Sequence, residues 1–597
     1  MPGYKAPLKD MRFLLYDVFQ AVQLLETMDA TREVTRDLLD AILDEAAKIN
    51  EQLLGPLNQS GDQEGCRIDD GKVKTPTGFP EAYQAFSQGG WIGLMGDPAY
   101  GGQGMPKMLS VLFEEMLFAA NSAFALYPIL TSGASLSLFL HGTEELKSAY
   151  LPALYSGRWS GTMCLTEPHA GSDLGIIKTR AVPDAAGTYR VTGTKIFITA
   201  GDHDLSENII HFVLAKLPDA PAGSHGISMF LVPKFKHDAS GALTGPNGVS
   251  CGSIEHKMGI KASATCVMNF DNAEGYLVGE INKGLVCMFT MMNYERLSMG
   301  LQGIGLAQSS YATALEYARE RVQGRSPVAA ATTGGVADPI IVHPDVRRML
   351  LTMRSNILAG RALSIYLAGK LDIARYHDSR DERQRASALV DLLTPVAKAY
   401  CTDRGFESCV LGQQILGGHG YVTEWGLEQN VRDARIAQIY EGTNGIQAMD
   451  LMGRKTVRCN ALLLGILLED IASFSKAHEQ LPALKESLAA LSDAARTLEE
   501  VTQGILQRAA GDPAEVGSAS YAYMELLGLV SYCFMWCRIL ATVEAQRAAG
   551  STDQDYLAGL AVTGSFFIKR LLPRHRSLAA EIGSGSAVLM AMTAGQF

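Results

Sequence analysis

At Trp159-Ser-Gly-Thr-Met-Cys-Leu-Thr166 the sequence changes from a helical pattern to short runs rich in β-branched and aromatic residues. Similar runs follow, separated by Gly, Pro, Asp and Ser turns, at 178–182, 189–199, 209–217, 226–232 and 265–278. Short strands with turn signals between them predict an antiparallel sandwich or barrel. No helical pattern alternates with these runs, which argues against a parallel Rossmann-type sheet.

Both sides of this strand-rich region have helical periodicity. Amphipathic stretches with short connections predict a four-helix bundle and lie at 284–323, 344–376, 381–418 and 443–476. We therefore predict an α+β multidomain chain. It would contain an N-terminal α-helical domain (1–158), a central antiparallel β-barrel (159–280), a C-terminal four-helix bundle (281–455) and an additional C-terminal helical domain (456–597).

The composition argues against several classes of function. The 597 residues carry 52 Lys and Arg against 63 Asp and Glu, a formal net charge of −11, so we expect no nucleic-acid partner. The ten cysteines include no Cys-x-x-Cys pair, so we expect neither a metal site nor a disulfide framework. The most apolar run, 526–543, contains Arg538 and is short of the roughly 18–20 uncharged residues of a membrane span. The first ten residues lack a signal-peptide core, and we expect a cytoplasmic protein.

The most informative motif is Ile439-Tyr-Glu-Gly-Thr443. Thr443 or Asn444 could cap a following helix, which would place the Glu441 carboxylate beside backbone N–H groups. A glutamate in an apolar pocket has a raised pKa, which suits a general base near neutral pH. A first-turn glutamate that merely supports the helix dipole is the alternative, and from spacing alone it is the commoner case.

Two strand-end motifs are candidates for a cofactor face. Met163-Cys-Leu-Thr-Glu-Pro-His-Ala-Gly-Ser-Asp173 ends a strand in small residues, which let a backbone approach a phosphate or an aromatic ring closely. In Gly193-Thr-Lys-Ile-Phe-Ile-Thr-Ala-Gly201, Phe197 and Thr199 alternate with isoleucines and so share one sheet face. Each motif alone is also compatible with an ordinary turn or an ordinary core strand.

Taken together, the motifs resemble those of the acyl-CoA dehydrogenase family, and the resemblance extends from about residue 80 to residue 455. The chain has, in family order, the two strand-end motifs, Asn293-Tyr-Glu-Arg-Leu297, Ala318-Arg-Glu-Arg321, Gln414-Ile-Leu-Gly-Gly-His-Gly-Tyr421 and the Glu441 motif. The resemblance implies FAD between barrel and bundle, and α,β-dehydrogenation of an acyl-CoA to the trans-2-enoyl-CoA. Glu441 would remove the α-proton, the β-hydrogen would leave as hydride to flavin N5, and an electron-transfer flavoprotein would accept the electrons.

The resemblance also implies roles for individual residues. FAD contacts fall on Met163, Leu165, Thr166, Gly171, Ser172, Phe197, Thr199, Arg321, Gln414, Gly417, Gly418 and Thr443. Arg321 and the turn from Gln414 to Gly418 would serve the FAD of a neighbouring subunit. Substrate contacts fall on Ser172, Asn293, Arg296, Tyr440 and Gly442.

Some features depart from the common family pattern. Arg321-Val-Gln-Gly-Arg325 lacks the usual Phe-Gly, which puts an aromatic contact to the FAD adenine in doubt. After Thr443 the family often has Ser-Gln or Ser-Glu, whereas this chain has Asn444-Gly445 and so no side chain at 445 that could contact FAD. Glu295 occupies the position at which a minority of the family places its base, so it is the alternative to Glu441.

The length resembles a long bacterial subgroup that includes 3-methylmercaptopropionyl-CoA dehydrogenases and long fatty acyl-CoA dehydrogenases. The resemblance implies a methylthio acyl-CoA or a medium- to long-chain fatty acyl-CoA as substrate. We expect a homodimer, with the additional helical domain packed on the bundle and no stable membrane insertion. An acyl-CoA oxidase and a catalytically silent flavoprotein scaffold of the same fold remain alternatives.

Overall fold

The structure is a computed structural model that describes residues 3–185, 187–326 and 335–597. Its N-terminal part is helical, with one short hairpin. The elements are α1 Leu8–Arg12, α2 Ala21–Glu26, α3 Arg36–Ile49, α4 Leu57–Glu64, β1 Arg67–Asp69, β2 Lys72–Lys74, α5 Phe79–Gln88, α6 Lys107–His141 and α7 Glu144–Tyr155. Helix α6 is buried over almost its whole length and passes through the centre of the main apolar core.

The middle of the chain is a β-structure, as predicted. Its strands are β3 Trp159–Cys164, β4 Arg180–Pro183, β5 Tyr189–Thr199, β6 Asn208–Lys216, β7 Ile227–Pro233, β8 Phe235–His237, β9 Leu243–Pro246, β10 Val249–Ile254 and β11 Thr265–Val278. The predicted runs 189–199 and 265–278 agree with β5 and β11 at both ends. In β7 every residue is buried, so this strand has the continuous apolar pattern of a two-sided core strand.

The prediction of an antiparallel β-barrel is not confirmed. In the described part of the chain the main sheet has seven strands, in the order β10-β11-β5-β4-β6-β3, and β7 pairs with both β11 and β6. Strands β10 and β3 end the sheet without pairing to each other, and β3 runs parallel to β6. Alternation and turn residues reveal strands, whereas strand direction and closure depend on pairings between distant segments.

The C-terminal half begins with three long helices, α8 Gly284–Glu320, α9 Pro344–Tyr376 and α10 Arg380–Leu416, followed by α11 Leu427–Ala437 and α12 Asn444–Met449. The predicted fourth long helix, 443–476, is interrupted. Its first turns form α12 and a π-helical segment, Asp450–Val457, and the backbone is left-handed at Asn460 and Ala461. Apolar periodicity continues through this break, which is why the sequence pattern did not reveal it.

The remaining helices are α13 Leu462–His478, α14 Lys485–Ala509, α15 Ala514–Ala548, α16 Gln554–Phe566, α17 Arg574–Gly583 and α18 Ala587–Met590. Of these, α13, α15 and α16 pack against α9 or α10, whereas α14 and α17 pack against α15. By length and composition, α6 and α15 could each cross a membrane, but 78% and 89% of their most apolar windows are buried inside the fold. Burial of this kind is what the core helices of a large domain show.

Candidate active site

The turn that carries Glu441 lies between α11 and α12. Glu441 has a left-handed backbone, with φ of +57°, and Gly442 follows with φ of +85°. This φ is strained for any residue with a side chain, and a Cβ atom at Gly442 would also stand 2.6 Å from Nε2 of Gln447, so the position favours glycine. A left-handed non-glycine residue costs about 1–3 kcal/mol and persists only where its surroundings hold it. The conformation of the turn therefore depends on contacts outside it.

Two hydrogen bonds close this turn locally. The N–H of Asn444 donates to the carbonyl oxygen of Gln438 at 3.0 Å. The hydroxyl of Thr443 accepts from the N–H of Ile446 at 3.2 Å and so caps α12. Of the two caps that the sequence allowed, the structure uses Thr443, and this leaves the Asn444 side chain available for other contacts.

The Glu441 side chain is half-buried and lies near two basic side chains. Its Oε2 atom is buried and accepts no hydrogen bond from any described residue. Burial raises the pKa of Glu441 to about 7, because desolvation penalises the charged form, while the positive charges of Arg296 and Lys398 oppose this rise. A carboxyl group that titrates near neutral pH can act as a general base in the cell's pH range.

Lys398 of α10 is a part of this site that the sequence did not indicate. Its side chain is fully buried, and its Nζ donates to Oδ1 of Asn444 at 2.8 Å. Burial lowers the pKa of Lys398 to about 7, against the opposing negative charges of Glu441 and Asp403. Lys398 therefore couples electrostatically to the carboxyl group of Glu441 and contacts the turn that carries it.

Glu295, the alternative base, lies on α8 and is fully buried. Neither of its carboxyl oxygens has a hydrogen-bond partner among the described residues. Burial raises the pKa of Glu295 well above its ordinary value, and the negative charges of Glu441 and Glu114 raise it further. The charged form of Glu295 is therefore disfavoured at this position. The two candidate glutamates are thus close enough to interact, but only Glu441 lies on the strained turn.

Apart from Ser172, the residues predicted to bind substrate lie on α8 and on the turn that carries Glu441. Arg296 is 6% exposed, and its guanidinium donates to Oδ1 of the exposed Asn293 at 3.1 Å. The phenol of Tyr440 donates to Oε1 of Gln302 at 2.5 Å, which joins the turn to α8. Of these residues, Arg296 interacts electrostatically with the base, since its positive charge opposes the rise in the Glu441 pKa.

The predicted cofactor face lies on the sheet. Phe197 is 60% exposed, which is unusual for a phenylalanine on a strand, and its backbone is left-handed with φ of +57°. Thr166 and Thr199 are half-buried, and neither hydroxyl makes a hydrogen bond to a described residue. Leu165 is buried and Met163 half-buried behind them. An exposed aromatic ring beside two unpaired hydroxyls fits one face of a planar, hydrogen-bonding ring system such as a flavin.

A buried ion pair joins the two motifs of this face. Nζ of Lys195 donates to Oε1 of Glu167 at 2.8 Å and to the carbonyl oxygen of Leu165 at 2.9 Å. The N–H of Ile196 donates to the carbonyl oxygen of Thr166 at 2.9 Å. These contacts fix the end of β3 against β5, so Thr166 and Phe197 belong to one rigid surface.

Small residues leave open space where the resemblance implies phosphate contacts. A Cβ atom added at Gly171, Gly417 or Gly418 would meet no atom within 4 Å. Ser172, Gln414 and Arg321 are exposed. The end of α8 meets the 417–420 turn through Tyr317, whose hydroxyl lies 3.0 Å from Nδ1 of His419. The structure thus brings Arg321 and this turn into one neighbourhood, whereas their service to a neighbouring subunit stays a prediction.

The structure groups the predicted residues into three clusters. One surrounds the Glu441 carboxyl group, one is the sheet face at Phe197, and one lies at the end of α8. Sequence reasoning missed Lys398, Asp403 and Gln302, which are polar residues on long amphipathic helices with no motif of their own. Within the described ranges no group of three or more His, Cys, Asp or Glu is placed to hold a metal ion.

Family models match four consecutive segments of the chain. The models for the acyl-CoA dehydrogenase N-terminal, middle and C-terminal domains match residues 37–158, 162–273 and 282–455. A model described as acetyl-CoA dehydrogenase C-terminal like matches residues 467–593. The chain belongs to the acyl-CoA dehydrogenase family, and it is an oxidoreductase of that family.

Individual relatives match over nearly the full length. The chain is 41% identical to 3-methylmercaptopropionyl-CoA dehydrogenase of Ruegeria pomeroyi, over 95% of this chain and 96% of that protein. It is 33% identical to a broad-specificity linear acyl-CoA dehydrogenase of Mycobacterium tuberculosis, over 96% of each. The crystal structure of a Bacillus anthracis acyl-CoA dehydrogenase complexed with FAD superimposes with a TM-score of 0.74 at 22% identity, covering 94% of this chain and 90% of that one. The last match supports the fold.

Proposed function

We propose that this protein catalyses FAD-dependent α,β-dehydrogenation of an acyl-CoA thioester, with Glu441 as the base. The observation that carries the proposal is the half-buried Glu441 on a strained turn, whose Oε2 atom is buried without a partner among the described residues and whose pKa is raised to about 7. Strained backbone and a shifted carboxyl pKa are typical of catalytic positions. Family membership supplies the reaction class, and the turn supplies the residue.

The residues of the chain would carry out the proton half of the reaction. Ionised Glu441 takes the α-proton, and its carboxyl group becomes neutral while the Cα–H electron pair moves toward the thioester carbonyl. Donors to that carbonyl oxygen stabilise the developing charge, and we expect the backbone N–H of Glu441 to be one of them. Arg296 and Lys398 lower the pKa of Glu441 toward neutrality, so that an adequate fraction of the base is ionised at pH 7.

FAD fits the sheet face described above. Phe197, Thr166 and Thr199 would hold its ring system, with Met163 and Leu165 beneath it. Gly171, Ser172, Gln414, Gly417, Gly418, Arg321 and Thr443 would contact its other parts. When bound, FAD would supply the acceptor for the β-hydrogen as hydride. Closure of the site around Phe197, which is otherwise exposed to water, would exclude solvent from the reduced cofactor.

The substrate, partners and domain division are part of the same proposal. The 41% identity to a 3-methylmercaptopropionyl-CoA dehydrogenase favours a short acyl chain with a thioether, and a medium or long linear chain is the second candidate. We propose an electron-transfer flavoprotein as electron acceptor, a homodimer, a cytoplasmic location and the four-domain division given above.

Anaerobic bleaching of the purified flavoprotein tests this proposal. We expect 3-methylmercaptopropionyl-CoA, or a member of a series from propionyl-CoA to palmitoyl-CoA, to reduce the bound flavin within seconds. Rapid reoxidation by oxygen with peroxide release would identify an oxidase instead. If no acyl-CoA bleaches the flavin, the protein is a silent flavoprotein and the proposal is wrong.

A further inference from the structure

We propose that Tyr521 of the additional helical domain is a positioning residue for the catalytic turn and that it acts through Asp403. This inference rests on the proposed function and assigns a role to a domain beyond the bundle. Tyr521 lies on α15, and its hydroxyl donates to Oδ2 of Asp403 at 2.6 Å. Asp403 lies on α10, is 7% exposed and faces the Glu441 turn.

The second oxygen of Asp403 holds both ends of the catalytic turn. Oδ1 accepts from Nε2 of Gln438 at 2.6 Å and from Nδ2 of Asn444 at 2.8 Å. Gln438 and Asn444 are the two residues whose backbone hydrogen bond closes the turn around Glu441. Asp403 is therefore the shared anchor of the segment that presents the base.

The turn needs an anchor of this kind. Its left-handed Glu441 is unfavourable on its own, and the Glu441 Oε2 atom makes no hydrogen bond that would hold it. A carboxylate that accepts hydrogen bonds through both oxygens has a fixed orientation. Because Tyr521 occupies Oδ2, it fixes the direction in which Oδ1 points, and with it the positions of Gln438 and Asn444.

The contact belongs to a continuous interface between α15 and α10. One turn along α15, Glu525 accepts from Arg404 at 3.4 Å. At the next turn Gly528 lies against the ring of Tyr400, where an added Cβ atom would stand 2.4 Å from the ring. Burial and the hydrogen bond to Asp403 raise the pKa of Tyr521, so its phenol stays a donor throughout the neutral range. Tyr521 is 44% exposed, and its hydrogen bond to Asp403 is the contact that holds its hydroxyl at this interface.

The chain offers a control on the same helix that is more deeply buried, since Tyr532 is 0% exposed and Tyr521 is 44% exposed. Tyr532 is also on α15 and also faces α10, but its hydroxyl donates to Sγ of Cys401 at 3.3 Å and does not contact Asp403. Tyr521→Phe and Tyr532→Phe each remove one hydroxyl from the same interface. A role that is only structural would reduce the thermal stability of both variants without a selective effect on the chemical step.

The experiment measures anaerobic flavin reduction in holoenzyme with the acyl-CoA that bleaches the wild type fastest. We expect Tyr521→Phe to lower the limiting rate about tenfold, with little change in the apparent Kd for acyl-CoA or in FAD content, because a small misplacement of a base slows the reaction more than it weakens binding. Exchange of the substrate α-hydrogens for deuterium, followed by mass spectrometry, should slow by a similar factor. Tyr532→Phe should retain the wild-type rates.

The possible outcomes separate the two proposals. A wild type that bleaches, with Tyr521→Phe and Tyr532→Phe equally fast, overturns the inference and leaves the proposed function standing. A wild type that no acyl-CoA bleaches overturns both. If Tyr521→Phe does not fold, Asp403→Asn tests the inference instead. This substitution keeps the shape of the side chain and replaces one of its two acceptor oxygens with an N–H donor group. A folded Asp403→Asn with the wild-type reduction rate would overturn the inference.

Discussion

Two pairs of glutamates with buried carboxyl oxygens differ in their hydrogen bonding. Glu114 and Glu115 lie on α6, are 2% and 1% exposed, and are fully paired. Their partners are Lys107, Ser110, Tyr294 and Ser298 for Glu114, and Arg361 for Glu115, at 2.6–3.1 Å. These carboxylates have the bonding that burial of a charge requires.

Glu295 and Glu441 lack this bonding. Both oxygens of Glu295 and Oε2 of Glu441 are buried without a hydrogen-bond partner in the described chain. A protein that pairs two buried carboxylates so thoroughly could have paired the others, so the unpaired oxygens indicate function and not stability. The comparison predicts that substitutions in the first pair affect folding and substitutions in the second pair affect chemistry.

The largest effect is expected at Glu441. Glu441→Gln removes the base while keeping the size of the side chain, and the rate of flavin reduction by acyl-CoA should fall by about 10³-fold or more. FAD content and thermal stability should stay close to those of the wild type, because the amide does not have to ionise in its buried position. Stopped-flow spectrophotometry measures the reduction rate, flavin absorbance measures the FAD content, and thermal denaturation measures the stability.

Glu295→Gln is the matched variant for that measurement. Should Glu295→Gln be inactive and Glu441→Gln remain active, the roles of the two glutamates would be reversed.

Among these substitutions, removing the ion pair between Glu115 and Arg361 should reduce the stability most. Glu115→Gln leaves the guanidinium of Arg361 buried without its carboxylate, and we expect a loss of about 3–5 kcal/mol in the free energy of unfolding. Denaturant titration of the holoenzyme measures this loss. An equal loss of stability in Glu295→Gln would show that the unpaired glutamates also support the fold, against the distinction drawn above.

Lys398 should tune the base. Its positive charge lowers the pKa of Glu441, so Lys398→Met should raise that pKa. A rise of one unit would reduce the ionised fraction about five- to tenfold at and below pH 7 and would leave the rate nearly unchanged at pH 9. A rate loss that is equal at pH 6 and pH 9 would mean that Lys398 acts only by packing.

The smallest effect is expected at Glu295. Because burial and the charges of Glu441 and Glu114 disfavour the charged form of Glu295, Glu295→Gln keeps the shape of the side chain and removes a group whose charge the site does not favour. We expect flavin reduction within about tenfold of the wild-type rate, with any change appearing in the preference among acyl chains. Steady-state assays across the acyl-CoA series would show it.

The sequence predicted what short-range patterns encode. Strands β5 and β11 were predicted at both ends because their residues alternate, and Glu441 was located by its Tyr-Glu-Gly-Thr motif. The strand directions were not all predicted, since the parallel pairing of β3 with β6 leaves no local mark in the sequence. The fourth bundle helix was predicted wrongly, because its apolar period continues through the break at Asn460.

The surroundings of the base could not be predicted in the same way. Lys398 and Asp403 contact Asn444 from positions 46 and 41 residues earlier in the chain. Tyr521 reaches Asp403 across 118 residues and a change of domain. On a sequence each is one polar residue on an amphipathic helix, and only the packing of α10 against α12 and α15 brings them to the turn.

The pH dependence of anaerobic flavin reduction in the wild-type protein tests the central claim most directly. Only ionised Glu441 can accept the α-proton, and its pKa is raised to about 7, so the limiting rate should rise with pH through a midpoint near 7 and level off above it. Glu441→Gln should abolish the rise. A wild-type rate that is constant from pH 5 to pH 9, or that falls as the pH increases, would contradict the assignment of Glu441 as the catalytic base.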